Sequence, residues 1–211
     1  MKFLHTSDWH LGKLFHEKSL IEDQKHVLNQ ILERMQEAYR SNSPYAALVV
    51  SGDIYDRAMP PSEAVTLLND FLVRITETVP GVHVFMNSGN HDSATRHEIF
   101  TTPWKALKVH TIGNLDKNNI NKHIIKIDNI GYIIAIPYTY ERNIPEGFFQ
   151  EILDTVSNLN TENLPVVMTA HTTIHGCDFI GHDHATEYTV GGIDAFNIEQ
   201  MGEGYDYLAL G

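Results

Sequence analysis

Short clusters of carboxylate, imidazole and amide side chains recur along the chain, each directly after an apolar run. The clusters are "SDWH", "SGDIYD", "SGNHD" and "TAH". Their side chains that could bind a metal ion or move a proton are Asp8, His10, Asp53, Asp56, Asn90, His91, Asp92 and His171. Oxygen and imidazole donors without thiolate suit manganese, iron or zinc. A pair of such ions about 3.5–4 Å apart is suited to phosphoester hydrolysis.

The apolar runs before these clusters predict the elements that position them. Continuous β-branched runs such as "YAALVV" and "VHVFM" are typical of strands covered on both faces. Apolar residues at helical spacing predict helices over about 20–40, from Pro61 or Ser62 to about Ile75, and over 146–159. Strands that alternate with helices predict a layered α/β domain. After residue 105, "VHTIG", "HIIKI" and "GYIIAIP" predict short strands of a second sheet.

The clusters are best interpreted together, because ligands of open α/β sheets bind outside the carboxyl ends of the strands. Carboxylates gathered there would repel each other and take up protons unless cations held them. Taken alone, an Asp or Asn after a strand is usually a turn former or a helix cap, and a lone histidine is usually structural. The repeated Gly-Asp and Gly-Asn pairs, together with "DWH", favour a dinuclear metal site.

Composition limits the class of protein. The 211 residues carry a formal net charge of −12, which argues against sequence-blind attraction to nucleic acid by this domain alone. Cys177 is the only cysteine, so an internal disulfide and a multi-cysteine zinc site are excluded. Since no apolar run reaches the roughly 20 residues that span a bilayer, and "MKFLHTSD" turns polar early, we expect a cytoplasmic protein without membrane association. No break in composition divides residues 1–211, which predicts one domain.

The motifs "SDWHLG", "SGDIYD", "SGNHDS" and the His of "TAH" resemble, in order, those of the calcineurin-like metallophosphoesterases. Within that superfamily, "PPSEA" and "GGIDAFNIEQMGEGYDYLALG" look like the SbcD group of bacterial DNA exonuclease subunits. The resemblance covers essentially the whole chain. It implies a four-layer α-β-β-α sandwich and a metal-dependent nuclease that hydrolyses phosphodiester bonds at DNA ends or hairpins in repair and recombination. It further implies an SbcC-type coiled-coil ATPase as partner, DNA as substrate, and a homodimer.

The same resemblance implies the metal ligands. Asp8 and His10 would bind one divalent ion, Asp53 would bridge the two ions, and Asn90 and His171 would bind the other. Mn²⁺ is the first expectation, with Mg²⁺, Fe²⁺ and Zn²⁺ as alternatives.

It also implies two catalytic positions. His91 would steady the transition state or protonate the departing oxygen, and Asp56 would orient His91. Some relatives carry a histidine where this chain has Asp56.

One departure from the family pattern concerns its last motif. The family ends its site with Gly-His-x-His after a short strand, and this chain ends at "YLALG" with Gly211. We therefore expect a C-terminally truncated domain that lacks the final metal motif and any capping or partner-binding region. A similar "GHDH" at 181–184 could supply the missing ligands. The alternatives are a general phosphatase or cyclic-nucleotide phosphodiesterase of the same fold, or a metal-poor inactive core.

Overall fold

Two stacked four-stranded sheets form the centre of the structure, a computed structural model that describes residues 1–99, 101–175 and 195–211. Short 3₁₀ turns cover Ile120–His123, Glu141–Asn143 and Ile198–Met201. The strands are β1 Phe3–Thr6, β2 Leu14–Phe15, β3 Lys18–Ser19, β4 Ala47–Ser51, β5 His83–Asn87, β6 Val109–Ile112, β7 Ile124–Ile127, β8 Gly131–Ile136, β9 Val166–Ala170, β10 Thr173–Ile174, β11 Ala195–Phe196 and β12 Tyr207–Leu210. The helices are α1 Ile21–Arg40, α2 Ser62–Thr78, α3 Ala94–Ile99, α4 Thr101–Lys105 and α5 Phe148–Leu159.

The first sheet has the strand order β1-β4-β5-β6, and all its strands are parallel. The second sheet has the order β12-β9-β8-β7, in which β12, β9 and β8 are parallel and β7 is antiparallel to β8. Parallel strands end at the same edge of a sheet, so the polar clusters that follow β1, β4 and β5 all lie at one rim.

Three apolar clusters hold four layers together. Helices α1 and α2 pack on the outer face of the first sheet, with Leu32 and Leu68 against Leu48. Side chains such as Phe85 and Ile133 fill the space between the sheets. Helix α5 covers the outer face of the second sheet. This α-β-β-α order confirms the predicted fold class, because each sheet buries one face on helices and the other on its neighbour.

The predicted helices lie close to their expected bounds, with α1 beginning at Ile21 and α5 at Phe148. The assignment of "VHTIG" to the second sheet was wrong. Val109–Ile112 pairs in parallel with β5 and forms the edge of the first sheet. A parallel neighbour needs a crossover connection, and α3 and α4 supply it. Among the described residues, none of the helices combines the length and the hydrophobicity needed to cross a bilayer.

Candidate metal centre

Asp53 lies at the middle of the rim, directly after β4, with 3% of its surface exposed. Its Oδ2 is 3.6 Å from His10 Nε2, 3.6 Å from His171 Nε2 and 4.0 Å from His91 Nε2. Its Oδ1 accepts a 2.9 Å hydrogen bond from the main-chain N–H of His91. One carboxylate therefore faces imidazoles that come from three different loops.

The loop after β1 carries Asp8 and His10 in a strained backbone conformation. Their φ angles are 55° and 43°, and Asp53 has a φ of 49°. Left-handed backbone at a non-glycine residue costs about 1–2 kcal/mol each. Parallel-type hydrogen bonds oppose this strain: Asp8 N–H donates to Gly52 O at 3.2 Å, and His10 N–H to Asp53 O at 2.9 Å. His10 Nε2 lies 3.9 Å from Asp8 Oδ1, so both side chains face the same space.

Gln24 of α1 also holds this loop. Its Nε2 donates to the carbonyl oxygens of Trp9 and His10 at 3.2 and 2.7 Å, and its Oε1 accepts from Gly12 N–H at 3.0 Å. Trp9 adds packing, since its ring lies edge-on to Phe71 with centroids 5.5 Å apart. A helix side chain thereby satisfies loop groups that strand pairing leaves open.

The geometry at His171 fixes its tautomer. Its Nδ1 lies 2.9 Å from the carbonyl oxygen of Ser51, which can only accept, so Nδ1 carries a proton. Its Nε2 is then an acceptor in the neutral ring, yet it faces Asn90 Oδ1 at 2.9 Å and Asp53 Oδ2 at 3.6 Å. Acceptors that converge in this way need either a second ring proton or a cation between them. The arrangement fits a metal ion.

His91 is fixed in the same manner by the main chain of Asp56. His91 Nδ1 donates to Asp56 O at 2.9 Å, which leaves Nε2 facing Asp53. The contact that orients His91 is thus the carbonyl of Asp56 and not its carboxylate. That carboxylate instead lies 3.7 Å from His10 Nδ1 and 3.5 Å from the guanidinium of Arg57.

The glycines of the motifs allow close approach. A Cβ at Gly89 would overlap the carboxylate of Asp53, and a Cβ at Gly52 would overlap the ring of His171. Asp92 accepts hydrogen bonds from the main-chain N–H groups of Ile54, Tyr55 and Gly89 at 2.9–3.0 Å. These bonds connect the loop after β4 to the loop after β5.

The electrostatics of His10 also suit metal ligation. Burial lowers its pKa, and the nearby negative charges of Asp53 and Asp8 only partly oppose this effect. The ring is therefore neutral at a lower pH than an exposed imidazole, as a ligand must be. Its Nδ1 is buried and makes no hydrogen bond. This nitrogen lies 3.7 Å from the carboxylate of Asp56, whereas Asp8 and Asp53 lie near Nε2, and a cation between Nδ1 and Asp56 would satisfy it.

The described residues that could bind a metal ion form two groups. Within each group, the possible ligand atoms all lie within 4.8 Å of one another. One is His10, Asp56 and His91, and the other is Asp8, Asp53 and His171. This grouping differs from the expected sharing of ligands, in which Asp8 pairs with His10 and Asp56 is not a ligand. The "GHDH" at 181–184 lies outside the described residues. The sequence interpretation missed Gln24, since a glutamine within a helical pattern has no local signal for this contact.

Comparison with known proteins identifies the family of the chain. A model of the calcineurin-like phosphoesterase family matches residues 1–200. The chain is also similar to curated SbcD proteins, named as subunits of the nuclease SbcCD, with 28% identity over 221 residues in Staphylococcus saprophyticus, 29% over 238 in Escherichia coli K12 and 27% over 228 in Staphylococcus epidermidis. These alignments cover 100% of this chain and 56%, 55% and 56% of the relatives, so the chain spans about half their length. Because the family model covers nearly every residue, the chain belongs to the calcineurin-like phosphoesterase family, whose members bind divalent metal ions.

Proposed function

We propose that this chain is the catalytic part of a metal-dependent DNA nuclease that hydrolyses phosphodiester bonds at DNA ends or hairpins, in repair and recombination. The observation that carries the proposal is the convergence of imidazoles from three loops on the buried carboxylate of Asp53. The family match supports phosphoester hydrolysis, and the names of the relatives support a nuclease.

The ligands in the proposal are those expected from the sequence. Asp8 and His10 hold one divalent ion, Asp53 is shared, and Asn90 and His171 hold the other, with Mn²⁺ as the preferred ion. When bound, the ions withdraw charge from the phosphate and make water a better nucleophile. The side chains keep their donor atoms in place through the hydrogen bonds of Gln24 and of Ser51 O.

His91 moves the proton in this scheme. Because Asp56 O holds the Nδ1 proton, Nε2 is the atom that gives or takes a proton at the phosphate. The side chain is 44% exposed, so a substrate can reach it. Asp56 contributes the orienting carbonyl, and its carboxylate lies near His10.

The substrate and the assembly are proposed from the relatives. With a net charge of −12, the chain cannot attract DNA by broad charge, so binding depends on the metal centre, on a second copy of the chain, or on a partner. An SbcC-type coiled-coil ATPase fits the names of the relatives, since these describe them as parts of a nuclease called SbcCD. A homodimer and a cytoplasmic location complete the proposal.

The test compares substrates in the presence of Mn²⁺. Purified chain is incubated with linear duplex DNA, bis-(p-nitrophenyl) phosphate, p-nitrophenyl phosphate and a cyclic nucleotide, with Asp53→Asn as the inactive control. Loss of DNA ends that depends on Mn²⁺ and on Asp53 supports the nuclease. Hydrolysis of the small substrates with intact DNA supports the phosphatase or cyclic-nucleotide phosphodiesterase. Failure to bind Mn²⁺ at all identifies an inactive core.

A further inference from the structure

A chain of polar side chains runs between the two sheets, immediately below the metal centre. His5 Nε2 lies 2.9 Å from Ser51 Oγ, Ser51 Oγ lies 2.8 Å from Thr169 Oγ1, and Thr169 donates to Asn87 Oδ1 at 3.1 Å. Asn87 Nδ2 then donates to the carbonyl oxygen of Ile136 at 3.0 Å. His5, Ser51 and Asn87 belong to the first sheet, whereas Thr169 and Ile136 belong to the second.

The protons of this chain can be assigned from their partners. His5 donates to Ser51, Thr169 donates to Asn87, and Asn87 donates to the main chain. The single hydroxyl proton of Ser51 can point to Thr169 Oγ1 at 2.8 Å or to the carbonyl oxygen of Ala209, also in the second sheet, at 3.1 Å. Ser51, Thr169 and Asn87 are each fully buried, with 0% exposure. Water cannot replace a lost partner at such positions, so loss of the Thr169 hydroxyl leaves the buried Asn87 Oδ1 without the donor that Thr169 supplies.

Beside this chain, apolar side chains fill the space between the sheets, with the stacked rings of His83 and His110 next to Phe85. Val49 and Phe85 of the first sheet face Ile133, Val167 and Ala209. Apolar contacts are not directional, and they tolerate small displacements of one sheet along the other. The hydrogen bonds between Ser51, Thr169 and Asn87 are satisfied at one relative position only, since they require both distance and angle.

Ser51, Asn87 and Thr169 each lie two or three residues before an expected ligand. Ser51 is two residues before Asp53, Asn87 is three before Asn90, and Thr169 is two before His171. Asp53 and Asn90 follow strands of the first sheet, and His171 follows a strand of the second sheet. The relative position of the two sheets therefore sets the distances from His171 to Asp53 and Asn90. Ser51 also accepts a hydrogen bond from His171 through its main-chain oxygen.

We infer that the link Ser51–Thr169–Asn87 is a positioning device that sets His171 against Asp53 and Asn90 and thereby determines metal affinity. The inference rests on the proposed function, because it requires that these ligands bind a metal ion. Thr169 acts through His171, and it does not touch the ion or the substrate.

The experiment removes one hydroxyl while keeping the shape of the side chain. Thr169→Val should lower the affinity for Mn²⁺ about 10-fold, at the low end of the about 10–100-fold effect of residues that orient ligands. Thr169→Ser keeps the hydroxyl and should restore the affinity. Ser51→Ala cuts the same link from the first sheet, retains the main-chain oxygen, and should reproduce the loss. Affinities are measured by isothermal titration with MnCl₂, after thermal unfolding has shown that each variant is folded.

The matched control is Thr111→Val. Thr111 is also a buried threonine, and it lies in β6, the edge strand of the first sheet. Its hydroxyl lies 2.7 Å from the hydroxyl of Thr101, which belongs to α4. It should lose comparable stability and keep the affinity of the wild type for Mn²⁺. Equal affinities of Thr169→Val, Thr111→Val and wild type would overturn the inference.

A second readout separates this inference from the proposed function. The Nδ1 proton of His171, hydrogen-bonded to Ser51 O, can be followed by NMR in the metal-free protein. Thr169→Val should accelerate its exchange with solvent, and Thr111→Val should not. If the wild type binds no Mn²⁺, the proposed function fails, and this exchange rate still decides whether the link positions His171.

Discussion

The two halves of the candidate centre are held in different ways. In the half formed by Asp8 and His10, both residues have a left-handed backbone conformation, and 45% of the Asp8 side chain is exposed. The half formed by Asn90 and His171 has one buried imidazole, 7% exposed, whose Nδ1 is held by Ser51 O and whose Nε2 faces Asn90 and Asp53. Asp53 lies between the halves and contacts both.

This difference shows that one centre can depend on two separate supports. The first half depends on Gln24, a single helix side chain that holds a strained loop. The second half depends on how the two sheets pack, through Ser51 and Thr169. Loss of one support should therefore lower the binding affinity for one ion more than for the other. Loss of the Asp53 carboxylate should lower the affinity for both ions.

The largest effect is expected from Asp53→Asn, which removes the charge common to both halves. The amide oxygen can still accept from His91 N–H, so the loop should remain folded. We expect Mn²⁺ affinity and hydrolysis to fall by more than the about 100-fold that loss of a ligand-orienting partner costs. The control is Asp116→Asn, a carboxylate that also accepts main-chain hydrogen bonds, from Asn118 and Asn119, away from the centre. Two ions bound at wild-type affinity by Asp53→Asn would contradict the shared role.

Gly52→Ala should selectively break the second half. The new methyl group would overlap the ring of His171, and the φ of +83° is unfavourable for alanine. Gly81→Ala is the matched control, because Gly81 has a φ of +87° and open space around its Cα. Both variants should lose about 1–2 kcal/mol of unfolding free energy from the backbone. Only Gly52→Ala should also lose Mn²⁺ affinity, by about 10–100-fold, measured by titration calorimetry.

Gln24→Ala should selectively weaken the first half. It removes the hydrogen bonds to the main chain of Trp9, His10 and Gly12, each with a net contribution of about 0.5–1.5 kcal/mol. We expect about a 10-fold loss of affinity for one of the two Mn²⁺ ions, seen as a lost spin-coupled signal in electron paramagnetic resonance.

Gln36→Ala is its control, since Gln36 lies on the same helix and donates to Thr78 at the surface. If Gln24→Ala lowered the affinity for both Mn²⁺ ions equally, the two supports would not be separate.

The last prediction does not act on the metal ligands, and it separates the loss of the centre in acid from the loss of the whole fold in acid. Burial first, and then His83 and Lys105, lowers the pKa of His110 to about 4. His110 lies within β6, the edge strand of the first sheet, stacked on Phe85 with ring centroids 4.6 Å apart. The unfolded chain, with an ordinary pKa near 6.5, binds more protons between pH 6.5 and 4, so stability is complete above 6.5 and falls as the pH drops toward 4.

The expected loss is at most about 3 kcal/mol, measured by urea unfolding at a series of pH values. His110→Gln should flatten this dependence. A slope equal to that of the wild type would show that other groups cause it. Mn²⁺ titrations that test either half should therefore be made above pH 6.5, where this proton uptake is absent.

The sequence by itself determined the order of the layers and the family. Continuous apolar runs that end in Gly-Asp or Gly-Asn predict buried parallel strands with polar residues at one rim, because parallel strands end at the same edge. The expected ligands all lie at that rim, and their division between two ions stays a prediction.

Only the tertiary structure decided which distant groups support the rim. Gln24 meets His10 from a helix, Thr169 meets Ser51 across two sheets, and Asp56 orients His91 through its carbonyl. Val109–Ile112 joined the first sheet, since the helices before it form a crossover that the apolar pattern does not encode. Local patterns fix which residues are apolar and where strands end, whereas contacts between residues far apart in the chain depend on how the layers pack.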